Sequence, residues 1–298
     1  MNNSHSIAMI TCWYGVYPWY FPYFIKSCSY NPTIDFFIVT DNREEIFDKP
    51  DNVIIIDMTL EEFKINATKK LGFDIVLNNP YKLCDYKPAY GFLFSDLIAS
   101  YDFWGHGDID MVYGDIRGFI TDELLENYDI INTRHDFITG TFCLYRNNEK
   151  MNMLFTESRD YKHVFTQEQH FSFVECNFLY HELSMGYSIF DFPSNIQSMT
   201  YLAMKGNQNG DFRVFFDHII AQGMSNRIRW DNGIILFKDQ FECLFYDMID
   251  YKVKCKNKKV TYPIPDIFYF NKKGINKNSF IRLSYLRLQK KLQKIILF

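Results

Sequence analysis

Three short apolar runs in the first sixty residues restrict the fold more than any other feature. IAMITCWY (7–14), IDFFIVTDN (34–42) and NVIIIDMT (52–59) are each strand-length. Loop and helix-length segments separate them, GVYPWYFPYFIKSCSYNP (15–32) after the first and LEEFKINATKKLG (60–72) after the third. Continuous apolar strands alternating with helices predict a parallel, doubly wound α/β sheet with both faces covered. In such sheets ligands bind beyond the carboxyl ends of the strands. Those ends are Tyr14-Gly15, Asp41-Asn42 and Asp57.

Further along, KPAYGFLFSDLIASY (87–101) predicts a helix with Pro88 in its first turn. YDFWGHGDIDMVYGD (101–115) predicts a fourth strand and its exit. DELLENY (122–128) predicts a short helix, DIINTR (129–134) and GTFCLYR (140–146) strands, and 147–165 a helix. From 166 to 260 the pattern predicts only mixed helices and short strands. The 298 residues read as one domain over 1–262 and a tail over 263–298. The tail sets Arg282, Arg287, Lys290, Lys291 and Lys294 among apolar residues, the pattern of a basic amphipathic helix. Such a helix either docks on its domain or lies on an anionic membrane surface.

Composition narrows the function. A net charge of −4 gives no overall electrostatic reason to bind nucleic acid. The seven cysteines are scattered without a CxxC pair, which fits reduced thiols rather than disulfides or a zinc site. No signal peptide or run of about eighteen apolar residues occurs, so a cytoplasmic location is expected. Phe and Tyr are abundant, at 30 and 21 residues, and exposed aromatic rings are suited to stacking on sugars or bases.

The chemistry concentrates at Asp108-Ile109-Asp110. In an extended segment the two acids share a face and Ile109 points to the core. Adjacent carboxylates repel unless a cation lies between them, and Mg²⁺ or Mn²⁺ prefers oxygen ligands. Gly105 and Gly107 would leave room for a ligand against the backbone, and His106 would share the acids' face. A D-x-D triplet alone is more often a solvated turn; here it follows an aromatic strand within a series of α/β units.

In that position the triplet resembles the D-x-D of GT-A-fold, nucleotide-sugar-dependent glycosyltransferases. More closely, PYKLCDYKPAYGFLFSDLIASYDFWGHGDIDMVYGDIRGFIT (80–121) and TGTFCLYRNNEKMN (139–152) resemble a group of bacterial glycosyltransferases of capsule and O-antigen synthesis. Glycogenin-like transferases are a more distant likeness. The resemblance covers about residues 6 to 180. It implies a GT-A-like, mostly parallel sheet flanked by helices, and a hexosyltransferase using a nucleotide sugar, most simply a UDP-sugar. Asp108 and Asp110 would hold Mn²⁺ or Mg²⁺ on the donor diphosphate. Lys82, Asp85 and Lys87 would contact ribose or diphosphate, with lysine a point charge on phosphate. Thr11, Tyr14 and Asp41 would lie against base or ribose, and His106 against metal or sugar.

Three acids compete to act on the acceptor hydroxyl. Glu175 is preferred by a narrow margin, since the resemblance places it where the bacterial group carries an F-D-E string, although Val174 replaces its Asp. Glu168 has the spacing of the acid-Gln pair of glycogenin-like enzymes, and Asp136 is the third. The late histidine that ligates metal in glycogenin-like enzymes has no counterpart, and Asp247 would substitute as an oxygen donor. Asp115 is expected to cap the following turn. A glycan or lipid-linked glycan would be the acceptor, with the tail at the inner face of the cytoplasmic membrane. Two other classes compete. A nucleotidyltransferase would carry a glycine- and lysine-rich loop after the first strand, where this chain reads TCWYGVYPWYFPYF. A non-catalytic carbohydrate-binding protein would have no need of a diphosphate metal.

Overall fold

The structure, a computed structural model, describes residues 5–192, 196–217, 219–223 and 227–277. The chain runs through β1 (Ile7–Cys12), α1 (Phe21–Ser29), β2 (Ile34–Thr40), β3 (Val53–Asp57) and α2 (Leu60–Leu71). A broken helical run follows, containing α3 (Leu83–Tyr86) and α4 (Tyr90–Leu93). Next come β4 (Phe103–Gly107), β5 (Met111–Tyr113), α5 (Ile116–Phe119), α6 (Asp122–Asn127), β6 (Ile130–Asn132) and β7 (Phe142–Arg146). Short helices α7 (Glu149–Asn152), α8 (Tyr161–Thr166) and α9 (Tyr180–Ser184) precede α10 (Met199–Asn209). Then follow β8 (Val214–Phe216), β9 (Ala221–Gln222), β10 (Ile228–Asp231), β11 (Ile234–Phe237), β12 (Phe241–Cys243) and β13 (Phe245–Asp247). The described chain ends with α11 (Tyr251–Lys254), β14 (Ile267–Asn271) and β15 (Gly274–Asn276).

The described residues fall into two compact units. One is drawn from Met1–Tyr17, Pro32–Ile109 and Ile120–Ile219, the other from Pro18–Asn31, Asp110–Phe119 and Ile220–Phe298. The chain therefore passes from the first unit to the second inside the D-I-D triplet.

The first unit is built on a mixed α/β sheet of strand order β3-β2-β1-β4-β7-β6-β8. Parallel pairing joins β3 to β2, β2 to β1, β1 to β4 and β6 to β8; the two pairings of β7 are antiparallel. The sheet is thus mostly parallel, with helices packed on it, as the apolar runs predict. Residues of β1 and β2 are almost wholly buried because neighbouring strands and covering helices remove both faces from water. The reversal at β7 comes from the 133–141 link, which the buried Asn132 side chain shapes. Its Nδ2 donates to the carbonyls of Arg134 (2.6 Å) and Phe137 (2.7 Å), and its Oδ1 accepts from Thr139 N (2.9 Å).

Local chemistry explains where the helices start and stop. α2 opens with a capping box, Thr59 with Glu62, and closes on Gly72 at φ 77°. The single helix expected over 87–101 is instead part of a run that begins at Pro80, where the Asn79 side chain accepts from Tyr81 N. Pro88 lies within this run rather than in a first turn. It lacks an N–H and its ring crowds the preceding turn, so the run tightens to a 3₁₀ turn over Lys87–Ala89. The 147–165 segment is likewise broken, into α7, a 3₁₀ turn over Leu154–Glu157 and α8.

Gly105 has a packing reason rather than a ligand-binding one. A Cβ there would lie 2.5 Å from Leu144 Cδ2, and 2.7 Å from both the Cys143 carbonyl and Met9 Sδ. The expected room for a ligand is filled by neighbouring strands. Gly105→Ala is expected to destabilise the protein by about 1–3 kcal/mol through overpacking, read as a lower urea midpoint.

The second unit contains an antiparallel sheet, β12-β11-β10-β14-β15, and a three-stranded sheet, β5-β13-β9. Trp230 and Phe268 stack at 4.9 Å, and the Trp230 indole donates to the Tyr113 carbonyl at 2.9 Å. Residues 267–276, placed by the sequence reading in a helical tail, form the β14-β15 hairpin of this sheet. The amphipathic helix expected over 276–298 lies outside the described residues from 278 onward. Among the described residues no helix is long and apolar enough to cross a membrane. All seven cysteines are free.

Candidate active site

In the first unit the candidate site gathers around one residue of the T-G-T-F turn, Gly140. Its carbonyl accepts from Lys87 Nζ at 2.8 Å, and its N–H donates to Glu175 Oε1 at 3.1 Å. The same lysine pairs with Asp108 Oδ1 at 2.5 Å. Lys87, Asp108, Gly140 and Glu175 are therefore one connected set, assembled from the broken helical run, the end of β4, the link before β7 and the segment before α9.

Lys87 is 5% exposed. Burial alone would lower its pKa, but the charge of Asp108, with Cys84 and Glu175, raises it above lysine's ordinary value. It is a fixed cation. Asp108 keeps about a third of its side chain in solvent, at 34%. Its N–H donates to the Thr141 carbonyl at 3.2 Å. The triplet does not continue β4 in extended form: the chain turns at Ile109–Asp110, with Ile109 buried. The alternation that would place both acids on one face is lost at this turn.

His106 lies inside β4, fully buried, opposite Ile10 and Cys143. Burial, then the charge of Lys87, hold it well below the usual imidazole value, so it is neutral. Its ring lies 5.9 Å from that of Tyr145, a core neighbour. Thr11 donates its hydroxyl to the Gly107 carbonyl at 3.1 Å, tying β1 to β4. Asp41 accepts from Gly15 N at 2.9 Å while Asn42 Nδ2 donates to the Gly15 carbonyl at 3.0 Å. Asp41 thus fastens the turn at the end of β1, where Gly15 takes φ 93°. Tyr14, partly buried, packs at the edge of the main core. Burial pushes the Cys12 thiol up to about 12 and the Cys84 thiol to about 11, so neither is a thiolate.

Lys82 and Asp85 are not solvent-facing ligand contacts. Both are buried, with Lys82 Nζ on Asp85 Oδ2 at 2.9 Å and on the Gln169 carbonyl at 2.6 Å. Asp85 also accepts from Phe171 N and Phe173 N, each at 2.9 Å, and His170 Nδ1 lies 3.1 Å from it. This pair holds the 169–173 segment that leads to Glu175.

The three acceptor-side acids part company. Glu175 joins the Gly140 set; its Oε2 also accepts a short hydrogen bond from the Tyr180 hydroxyl and one from Ser172 Oγ at 3.3 Å. Asp136 is locked by Arg134, Nε to Oδ1 at 2.8 Å and Nη2 to Oδ2 at 2.6 Å, with Ser184 Oγ at 2.9 Å. Burial works against its charge, but Arg134 and Ser184 hold the carboxyl below its ordinary value, which suits a structural anion. Glu168 is exposed after α8 and makes no hydrogen bond or ion pair among the described residues.

In the second unit, Asp110 is 7% exposed and pairs with Lys252 Nζ at 2.5 Å. Its carbonyl accepts from Met248 N at 3.0 Å, the residue after Asp247. Asp247 itself is buried, not a surface acid. Its Oδ1 accepts from Ile249 N at 2.8 Å and its Oδ2 from Gln222 Nε2 at 3.3 Å. The chain thus brings Asp247 beside Asp110, from 137 residues away, through the β5-β13 pairing. Asp115 accepts from Gly118 N at 3.0 Å and caps α5 as expected.

Asp108 and Asp110 offer carboxylate oxygens, the donor class that Mg²⁺ and Mn²⁺ take. Such ions are commonly held by one or two carboxylates, with water and substrate phosphates completing the shell. Each acid, taken in its own unit, is of that donor class and is balanced by a lysine on one oxygen. Among the described residues no group of three or more His, Cys, Asp or Glu side chains forms a ligand set.

Residues 9–278 match the model of DUF6625, a family of unknown function. The chain belongs to that family. No curated protein matches this DUF6625 sequence. Among solved structures it is similar to galactosyltransferase LgtC in complex with donor and acceptor sugar analogs. That match has 13% identity and a TM-score of 0.39, covering 72% of this chain and 75% of LgtC. An active-site mutant of LgtC matches at the same identity and coverage, with a TM-score of 0.38. A likeness of that degree leaves the reading of the DUF6625 site to its own residues.

Sequence reasoning missed Gly140, Tyr180 and Lys252. Gly140 stood within the T-G-T-F string. Tyr180 follows Glu175 by five positions, and Lys252 lies 142 residues from Asp110, so neither carried a local signal.

Proposed function

We propose that this DUF6625 protein is a metal-dependent GT-A-type glycosyltransferase that moves a hexose from a nucleotide sugar to a glycan hydroxyl. The observation that carries this reading is the convergence of Lys87, Asp108 and Glu175 on Gly140 where β4 ends. A fixed cation, an acid with a third of its side chain in solvent and a second carboxylate there match what a sugar-diphosphate reaction requires. The D-x-D acids, Asp108 and Asp110, would hold Mg²⁺ or Mn²⁺, which when bound neutralises charge on the departing diphosphate. The Met248 N–H, one residue after Asp247, holds the Asp110 carbonyl.

Lys87 orients the Asp108 carboxylate and, through the Gly140 carbonyl, fixes the turn opposite Glu175. Glu175 is the acid proposed to face the acceptor, in preference to the Arg134-locked Asp136 and to Glu168. Tyr180 and Gly140 N–H orient its two oxygens. The acceptor proposed is a surface polysaccharide intermediate, lipid-linked at the cytoplasmic membrane. The support for that placement is the basic sequence of residues 276–298 and the resemblance of residues 80–121.

The test is a panel of sugar nucleotides with Mn²⁺, read by released nucleoside diphosphate. One donor is expected to be turned over, with activity abolished by chelation and restored by Mn²⁺. No release from any donor, together with no metal-dependent binding of a nucleoside diphosphate, would overturn the proposal.

A further inference from the structure

A chain of aromatic rings in the first unit runs from the surface to Glu175. Tyr81 lies edge-on to His170 at 5.0 Å between centroids, His170 to Phe178 at 5.7 Å, and Phe178 to Tyr180 at 6.4 Å. The interplanar angles are 70°, 87° and 78°. The Tyr180 hydroxyl then bonds Glu175. The outer rings are open to solvent, Tyr81 at 64% and Phe178 at 52%. Single exposed aromatics are common. Here, however, the exposed rings belong to one ridge whose inner end carries a carboxylate of the candidate site.

The backbone adds a second observation. Phe178 has φ 67°, and its neighbour Asn177 has φ 50°. A positive φ is tolerated by glycine or asparagine but is an outlier for a bulky side chain. The strained conformation places a phenyl ring in solvent rather than in the core. The ring is half exposed and its ring contacts are His170 and Tyr180, members of the same ridge, so the strained conformation builds the ridge rather than the core. The electrostatics agree: after burial and Cys84, the charges of Glu175 and Asp108 raise the Tyr81 phenol, so its hydroxyl lies within their field.

We propose that Tyr81 and Phe178 form the aromatic face of a sugar subsite that seats a pyranose of the glycan acceptor and leads its hydroxyl to Glu175. A pyranose has an apolar C–H face that stacks on aromatic rings and a rim of hydroxyls that needs polar partners. The ridge offers both: phenyl and phenol faces outside, with the His170 imidazole, the Tyr180 hydroxyl and Glu175 along the inner side. The assignment of the bound sugar as acceptor rests on the transferase reading.

The experiment is saturation-transfer NMR on the full chain, without metal or sugar nucleotide. The probes are methyl glycosides of glucose, galactose, mannose, N-acetylglucosamine and N-acetylgalactosamine, with lactose and maltose. At least one is expected to bind the wild-type protein. Binding is expected to weaken about tenfold in Tyr81→Ala and in Phe178→Gly, but not in Phe47→Ala, which removes an exposed ring elsewhere. Phe178→Gly is also expected to keep or raise the urea midpoint, because glycine relieves the positive φ. Absence of binding by every probe, or equal binding by all variants, would overturn the subsite. Ring-dependent sugar binding with no cleavage of any nucleotide sugar and no metal-dependent binding of a nucleoside diphosphate would instead leave the subsite standing and remove the transferase reading.

Discussion

Asp85→Ala is expected to lower the unfolding free energy by about 3–5 kcal/mol, the largest loss of any single substitution considered. The carboxylate is fully buried and has donors on both oxygens: Lys82, Phe171 N and Phe173 N, with His170 alongside. Alanine would leave the buried Lys82 ammonium without its counter-charge and two buried N–H groups unpaired, each costly in a low dielectric. Asp85→Asn should cost less, since the amide oxygen can still accept one of these bonds. Urea denaturation of the three proteins decides the matter; a loss below about 1 kcal/mol for alanine would show that the cluster reorganises.

The same carboxyl predicts an acid limb. Burial acts against its charge, but His170 and Lys82 together hold its pKa below the ordinary 3.8. The unfolded chain therefore takes up this proton first as pH falls. The stabilisation is complete above the unfolded value and is lost as pH drops through the lower folded value. The gap between wild-type and Asp85→Asn should narrow over that acid range and stay constant near neutrality.

That cluster also shows how far the sequence could be read. The strands β1 to β3 were legible because parallel strands covered on both faces must be continuous apolar runs, whereas β4, FWGHG, was read from the aromatic residues ahead of the D-x-D acids. Lys82 and Asp85 were read as ligand contacts on the family resemblance, and residue type, which reports charge and not burial, could not correct it. Pro88 was placed in a first turn, and only the structure shows the helical run beginning at Pro80. Gly105 looked like open space, whereas Leu144 and Met9 fill it. The second unit was nearly silent: strands of two to five residues are too short for a period to emerge, and pairs such as Asp110 with Lys252 join distant parts of the chain. Glu175 was distinguished from Glu168 and Asp136 by family resemblance. Its physical distinction is the bond to Gly140 N, a long-range contact that no local spacing encodes.

The proposed chemistry makes its sharpest demand on Asp108 and Lys87, whose variants should fail in different ways. Asp108→Asn removes a charged oxygen from the acids proposed to hold the metal and is expected to cut kcat/KM by about 10²–10³-fold, with weaker Mn²⁺ binding. Lys87→Met keeps the Asp108 charge but removes the ammonium that now occupies its Oδ1 and grips the Gly140 carbonyl. Mn²⁺ should then bind at least as tightly, because its competitor for Asp108 is gone. Turnover should nevertheless fall about 10–10²-fold, since Gly140 and Glu175 lose the tether that sets their position. Mn²⁺ binding by electron paramagnetic resonance, read beside donor turnover, separates the two. Weaker metal binding in both variants would mean that Lys87 supports the ion's site rather than competing for it. Unchanged metal binding in Asp108→Asn would remove Asp108 from the ligand set and leave its pairing with Lys87 as its whole role.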